Sequence, residues 1–502
     1  MRSKSSAKNL VVALIGQAFG LIISFIARII FVKFLSDEYL GLNGLFTNLL
    51  TMLSLVELGV GSALVYSLYK PLADGDNEKV KSLMDLYRKA YNIIGGVVLI
   101  IGILFIPFYR YLISEVPSIS HLDFIYILFV LNTAISYFYS YKRSLIICDQ
   151  KRYIATIYRY VFYFLLNVFQ IIVLFLTHNY ILYLITQVVF TWLENICISI
   201  KAYKMYPYLK DKNIKKLDKK ELNTISKNVR AMLFHKIGGV VVNSTDNILI
   251  SKLVGLIAVG MYSNYYLITS ALDTITAQFF NAITASVGNL GACTNSKKVK
   301  ETFNTTFFLN YLIYGVITVC LLILFNPFIE IWLGKKYLFD FDVVLVITVC
   351  FYLKGIRKTC LTFKDALGLF WQDRYKPIIE SIINLVASII LGIKYGVLGI
   401  FMGTIISTVT TSLWIEPYVL YKYYFKENII DYLYRFIKYT LVVVLTYLIV
   451  QKIVILISIN GILGLLIKGV VSLILSILIM TIVFIKTNEI KHVKKIFKDI
   501  KS

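Results

Sequence analysis

Charged side chains occur inside several of the long apolar runs of this sequence. Arg28 and Asp246 lie at similar depths, about 8 Å and about 10 Å from the predicted outer ends of their helices at a rise of about 1.5 Å per residue. A charge within the hydrocarbon layer is costly unless it faces a cavity or a partner. We therefore predict that Arg28, Asp246 and the neighbouring Asn247 line a polar cavity or form a gate, where Arg28 can attract an anionic group.

Three acidic side chains in similar surroundings are candidates for binding a coupling ion. Glu57 and Asp273 each lie about 22 Å from the predicted outer end of their helix, and Glu194 lies in a further apolar run. A carboxylate in such a position can take up a proton or a cation. It can equally well bond to polar side chains where two helices touch, and the residues alone leave both interpretations open.

Arg159, His235 and Lys236 complete the set of candidate cavity residues. Arg159 lies on the predicted fifth helix, whereas His235 and Lys236 lie at the cytoplasmic end of the seventh, where they would line the mouth of an inward-open cleft. Simpler roles remain open for several candidates. Arg28 can reach towards the outer interface, Asp246 can bond within the protein, and His235 and Lys236 can be interfacial.

The sequence lacks the residue patterns that catalysis requires. The Walker A spacing GxxxxGK[ST] is absent, and the four histidines are widely scattered. The cysteines have no CxxC spacing, and they lie in or beside apolar runs at Cys148, Cys197, Cys293, Cys320, Cys350 and Cys360. We predict that the protein is not an enzyme and holds neither a metal nor a cofactor. Transport would then be coupled to an ion gradient or to removal of the product.

The elements that position these residues are transmembrane helices. The 502 residues are 58% hydrophobic and 16% charged, with a mean hydropathy of +0.75. Soluble domains have about 45–50% apolar and about 25% charged residues. Runs long enough to cross a bilayer predict an all-α polytopic membrane protein with about 14 transmembrane helices, at 9–33, 42–69, 84–109, 122–141, 154–177, 181–203, 231–253, 258–288, 303–331, 342–362, 378–396, 398–421, 437–457 and 461–485.

The net charge of +24 is explained by topology. About 41 of the 52 Lys and Arg residues fall on one side of the membrane, in the N-terminus, the even-numbered loops and the C-terminus. About seven fall in the odd-numbered loops on the opposite side. The positive-inside rule therefore predicts a cell-membrane protein with both termini in the cytoplasm. Because topology accounts for the basic excess, we expect no nucleic-acid partner.

An internal repeat divides the chain into two similar parts. At an offset of 219 residues, Gly41 aligns with Gly260, and Lys79-Val80-Lys81 aligns with 298–300. Six helices separate the copies, so both have the same orientation, as in transporters built from parallel repeats. We predict two like-oriented six-helix lobes at 1–205 and 229–422, a basic cytoplasmic linker at 206–228, helices 13 and 14 at 423–485, and a basic amphipathic cytoplasmic tail at 486–502 that lies on membrane lipids.

Two segments carry a resemblance to a known family. The stretch TDNILISKLVGLIAVGMYSNYYLI at 245–268 resembles the hallmark of Wzx-type polysaccharide repeat-unit flippases. The stretch GLNGLFTNLLTMLSLVELGVGSALVYSLYKPLA at 41–73 is similar to the second span and following loop of those proteins. They belong to the multidrug/oligosaccharidyl-lipid/polysaccharide exporter (MOP) superfamily.

The resemblance implies a substrate and a direction of transport. The substrate would be an undecaprenyl-diphosphate-linked oligosaccharide, moved from the cytoplasmic to the outer leaflet for assembly of capsule or exopolysaccharide by alternating access of the two lobes. A polysaccharide polymerase and a chain-length regulator are then candidate partners. The alternatives are a multidrug or peptidoglycan-precursor exporter of the same fold and, less favoured by the short outer loops, a membrane polysaccharide polymerase or transferase.

Overall fold

All regular elements that the structure describes are helices. The computed structural model describes residues 2–57, 59–114, 119–211, 213–293, 296–369 and 372–492. Contacts divide the chain into two compact units, unit 1 at Met1–Gly260 and unit 2 at Met261–Ser502. The all-α prediction is confirmed, whereas the predicted lobe and linker boundaries remain predictions.

The described residues of unit 1 form ten α-helices and the start of an eleventh. They are α1 (Arg2–Phe34), α2 (Asp37–Leu53), α3 (Val60–Asp74), α4 (Asn77–Leu104), α5 (Ile106–Tyr109), α6 (Leu122–Tyr137), α7 (Ser140–Cys148), α8 (Arg152–Thr177), α9 (Tyr180–Met205) and α10 (Lys219–Leu253). Local chemistry sets several of their ends. Gly75, at φ 72°, terminates α3, and the Asp76 carboxylate then accepts a hydrogen bond from the Lys79 amide (2.9 Å), which caps α4.

Seven further α-helices lie in the described part of unit 2, and α11 (Leu256–Cys293) crosses from one unit to the other. The seven are α12 (Ser296–Leu333), α13 (Phe341–Ile356), α14 (Lys358–Ala366), α15 (Lys376–Ser407), α16 (Leu413–Leu420), α17 (Ile430–Ile455) and α18 (Gly461–Val483). Two π-helical segments, Thr408–Ser412 and Tyr421–Phe425, flank α16.

Within the described residues, nine helices are long and apolar enough to cross a membrane, or ten if the bent pair α6 and α7 forms one span. Their outer faces carry exposed aliphatic side chains, including Ile462 and Leu466 on α18. Such faces suit hydrocarbon and would be unfavourable in water. The protein is therefore a multi-pass membrane protein.

The segment Lys376–Phe425 counts as one of these nine, although it folds back on itself. Gly396 lies inside α15 with φ 59° and ψ −135°, outside helical geometry. The Ser388 hydroxyl donates to the Ile400 carbonyl (2.9 Å), and Asn384 donates to Thr404 (2.9 Å). Residues 20 positions apart on a straight helix would be about 30 Å apart. The predicted helices 378–396 and 398–421 are therefore the two arms of a hairpin.

The predicted second span, 42–69, is wrong as a continuous helix. Helix α2 ends at Leu53, the turn Ser54–Glu57 is a 3₁₀-helix, and α3 begins at Val60. Gly59 has φ 77°, which glycine adopts without the steric cost that other residues incur. The break brings the Glu57 side chain close to α4.

The two segments that carry the family resemblance contact each other within unit 1. A Cβ placed on Gly41 would collide with the carbonyl of Leu256, and one on Gly260 would lie 3.2 Å from the Gly41 amide nitrogen. Small residues allow helix backbones to approach closely in membranes. The repeat-equivalent glycines Gly41 and Gly260 thus fulfil the same packing requirement on α2 and α11.

Candidate functional site

Glu57 lies at the break between α2 and α3 and bonds to a tyrosine of α4. The Tyr91 hydroxyl donates to its carboxylate (2.6 Å). The neighbouring Tyr87 hydroxyl donates to the Ser144 hydroxyl (3.2 Å). Both tyrosine rings are buried. Gly61 makes room for this contact, because a side chain there would collide with the Tyr91 hydroxyl and with Glu57. Broken helices often line substrate or ion sites in transporters.

Asp273 on α11 occupies a comparable position in unit 2 but has cationic partners. Lys358 donates to its carboxylate (2.6 Å), Lys354 lies 3.2 Å away, and the Tyr314 hydroxyl donates over 3.3 Å. Tyr314 and Tyr91 lie on α12 and α4, which the repeat aligns with each other. In each unit a carboxylate therefore accepts a tyrosine hydroxyl from the equivalent helix. The coupling-ion role of Glu57 and Asp273 remains a prediction.

Glu194 on α9 forms an ion pair with Arg143, a residue that the sequence patterns did not single out. The Arg143 guanidinium donates to Glu194 (2.6 Å) and to Asn195 (3.3 Å). Arg159 on α8 is exposed and lies within electrostatic reach of Glu194. The structure thus brings two of the predicted residues, Arg159 and Glu194, into one neighbourhood.

Arg28 is half-buried on α1, which packs along α8. One turn earlier on α1, the Ser24 and Tyr163 hydroxyls are hydrogen-bonded to each other (2.6 Å). The charge of Arg28 lies within reach of Tyr183 on α9. The Ser24, Tyr163 and Tyr183 hydroxyls thus lie in the neighbourhood of Arg28, whose cavity role remains a prediction.

Helix α10 carries the remaining predicted cavity residues and packs against α2 and α3 in unit 1. Asp246 is half-buried and Asn247 is buried, with the Asn247 amide nitrogen beside Gly44 of α2. Asp246 and Arg28 therefore belong to the same compact unit. His235 and Lys236 lie on the same helix, but their side chains are outside the described residues.

The most deeply buried charged side chain among the described residues of unit 2, Glu416, was absent from the sequence prediction. Glu416 on α16 is 0% exposed and accepts two hydrogen bonds from Arg357, at 2.6 and 3.1 Å. Lys376 donates to the same carboxylate (2.5 Å), and Glu380 bonds to Arg357 (3.2 Å). We call these four residues the buried ionic network. Two cations balance two carboxylates, so the network is neutral as a whole.

A sequence signal for this network did exist. Glu416 is an isolated acid in an apolar run, the same criterion that singled out Asp246. The other three members of the network, at 357, 376 and 380, lie in the basic loop and at the start of the next helix, so their convergence follows only from the fold. The two π-helical segments beside α16 mark the same region, and such segments are frequent at functional sites.

The chain matches the family model described as "Polysaccharide biosynthesis protein" over residues 6–286. This range is more than half of the chain and includes both segments that carry the resemblance. A search of curated protein sequences finds no match.

Solved structures of transporters share the fold. One is the lipid II flippase MurJ in an inward closed conformation, which is 15% identical, with a TM-score of 0.69 over 94% of this chain and 99% of that one. Another is an inward-facing multidrug resistance MATE family transporter of the MOP superfamily, 13% identical, with a TM-score of 0.65 over 82% of this chain and 98% of that one. A MATE transporter of Vibrio cholerae is 12% identical, with a TM-score of 0.59 over 85% and 98%. At these identities the likeness shows the fold alone.

Proposed function

This chain belongs to the polysaccharide biosynthesis protein family of the MOP superfamily, and we propose that it is a flippase for lipid-linked oligosaccharides. It would translocate undecaprenyl-diphosphate-linked repeat units from the cytoplasmic to the outer leaflet for assembly of capsule or exopolysaccharide. The family match over residues 6–286 is the observation that carries the proposal. The fold shared with a lipid II flippase supports it, because that protein's name also specifies a lipid-linked substrate.

The finer architecture belongs to the same proposal. The second arm of the Gly396 hairpin, together with α10, α11 and α13, would extend the ten candidate spans to the predicted fourteen. The spans would form two like-oriented six-helix lobes followed by α17 and α18. The protein would lie in the cell membrane with both termini in the cytoplasm, and the lobes would open alternately to either side.

Movement of a sugar diphosphate across the membrane requires groups that the candidate residues could provide. A diphosphate carrying sugars cannot cross hydrocarbon unaided, so the path needs polar and cationic groups while the polyprenyl tail stays in lipid. Arg28 would provide positive charge, with Asp246 and Asn247 as polar neighbours on α10. Glu57, Asp273 and Glu194 would be the positions at which proton or cation binding couples to movement.

One alternative has structural support, because the fold is shared with multidrug transporters. The family match favours the polysaccharide branch over multidrug export. A membrane polymerase or transferase is a weaker alternative, since proteins with this transporter fold are typically not enzymes. We therefore propose a transporter that has no catalytic site, with a polymerase and a chain-length regulator as candidate partners.

Deletion of the chain in its own cell tests the proposal. We expect surface polysaccharide to be lost, because repeat units can no longer reach the outer leaflet. Lipid-linked oligosaccharide should accumulate on the cytoplasmic face, as measured by lipid extraction and mass spectrometry. Re-expression of the wild-type chain is the control. Normal surface polymer after a clean deletion, in a cell with no second flippase, would contradict the proposal.

A further inference from the structure

Unit 1 contains a cavity of about 540 Å³ that none of the candidate site residues discussed so far line. Its walls come from α4, α7 and α9 and from the segment that follows α9, through residues such as Leu209 and Ile214. These elements lie at the side of the chain where basic loops predict the cytoplasm. A cavity of this size falls within the range of roughly 300–1,000 Å³ that small-molecule sites occupy.

Lys142 is a buried cation in the wall of this cavity. Its side chain is 2% exposed, and its ammonium donates to the Ser199 hydroxyl (2.6 Å). The ammonium also lies 3.8 Å from the centre of the Tyr203 ring. Among the residues that the structure describes, no carboxylate forms an ion pair with it. A buried ammonium without a counter-charge is unfavourable, so its place here requires an explanation.

The acidic residues of the wall already have partners. Asp85 pairs with Arg88 (2.6 Å) and Lys89 (2.7 Å), and Asp211 pairs with Lys81 (2.8 Å). The hydrogen bond from Lys81 holds the pKa of Asp211 below its usual range, so this carboxylate stays ionised at neutral pH.

The wall therefore has an excess of positive charge. Its cations are Lys81, Arg88, Lys142 and Lys210, against the two carboxylates of Asp85 and Asp211. Tyrosine side chains lie beside them, including Tyr141. Positive charge, donor groups and a half-open cavity together form the environment that binds phosphate groups.

We propose that this cavity binds a phosphate- or diphosphate-bearing ligand that approaches from the predicted cytoplasmic side, with Lys142 as its buried counter-charge. The ligand group is either part of a free soluble phosphate or the headgroup of an anionic lipid. Lys81 and Asp211 join α4 to the segment after α9 beside this site. Ligand binding at this site does not depend on the proposed translocation, because the ligand would also bind to a protein that moves no lipid-linked oligosaccharide.

The test measures binding to the purified full-length protein by isothermal titration calorimetry in a neutral detergent. The probes are inorganic pyrophosphate and short-chain phosphatidylglycerol, with short-chain phosphatidylcholine as the zwitterionic control. The variant is Lys142→Met. The matched control is Lys204→Met, which removes the same charge from an exposed position on α9 outside the cavity.

We expect Lys142→Met to weaken binding of the anionic probe at least tenfold while Lys204→Met binds like the wild type. The unfolding temperature of Lys142→Met should equal or exceed that of the wild type, because an uncompensated buried charge has been removed. Binding of pyrophosphate alone identifies a site for a free soluble phosphate, and binding of phosphatidylglycerol alone identifies a site for a lipid headgroup. Binding of both probes shows that the site recognises the phosphate group that they share. The proposal is wrong if neither probe binds, or if Lys142→Met binds as tightly as the wild type.

Discussion

Arg28→Ala is expected to reduce export of lipid-linked oligosaccharide by more than about tenfold, while the protein still reaches the membrane at wild-type levels. A tenfold change in the rate of export corresponds to about 1.4 kcal/mol in the free energy of activation. If Arg28 and Asp246 pair in the closed gate, loss of Arg28 leaves Asp246 uncompensated in that state, at a cost of commonly about 3–5 kcal/mol, which exceeds this value. Surface polysaccharide per unit of membrane-inserted protein is the measurement.

Asp246→Ala should impair export in the same way if the two side chains act together as a gate. Both belong to unit 1, on α1 and α10. Exchanging the two charges should then restore part of the activity. If Arg28 instead contacts the anionic substrate, the exchange should fail and Arg28→Lys should retain partial activity.

The matched control for Arg28 is Lys452→Ala, which removes a cation from an exposed position at the end of α17. We expect this variant to export normally. Wild-type export by Arg28→Ala would refute both the gate and the substrate contact. Arg28 would then have only the interfacial role that its depth also permits.

Glu416→Gln is expected to lower the free energy of unfolding of unit 2 by about 3–5 kcal/mol. Glu416 bonds to both Arg357 and Lys376 and is 0% exposed. Its removal would leave two buried cations with Glu380 as their remaining carboxylate partner. Thermal and denaturant unfolding of the purified protein measures the change. It is followed with a thiol-reactive dye that reaches the buried Cys360 as unit 2 unfolds, in a chain whose other cysteines are replaced by serine.

Two further variants separate the network from general damage. Glu301→Gln removes an exposed carboxylate of α12 and should change stability by less than about 0.5 kcal/mol. Glu416→Gln combined with Lys376→Gln removes one charge of each sign, and we expect part of the lost stability to return. If Glu416→Gln alone is as stable as the wild type, the buried ionic network does not stabilise unit 2.

The sequence predicted the membrane-embedded, all-helical character because apolar runs of span length are a direct physical requirement of a bilayer. It also predicted the family, since the segments at 41–73 and 245–268 retain their local pattern. The break after α2 was missed because its flanking residues are as apolar as those of a continuous helix. Gly59 and Gly61 are the sequence feature that indicates the break, but two nearby glycines are also common in unbroken transmembrane helices.

Charge pairing was the least predictable feature. The positive-inside pattern explains Lys354, Arg357 and Lys358 only as basic residues of a cytoplasmic loop, yet each pairs with a carboxylate on another element. Their partners lie between 23 and 85 positions away in sequence. Depth along a helix indicates where an acid lies, but only the packing of helices shows which cation meets it.

Reconstitution of the purified protein in sealed vesicles measures translocation of the lipid-linked oligosaccharide itself. A fluorescently labelled undecaprenyl-diphosphate oligosaccharide is placed in both leaflets, and an impermeant reagent that destroys the label is added outside. We expect label in the inner leaflet to become accessible at least about tenfold faster with the wild-type chain than in protein-free vesicles, and Arg28→Ala to abolish most of this gain. Equal rates in vesicles with and without the wild-type chain, under imposed proton and sodium gradients as well as without them, would contradict the proposed translocation.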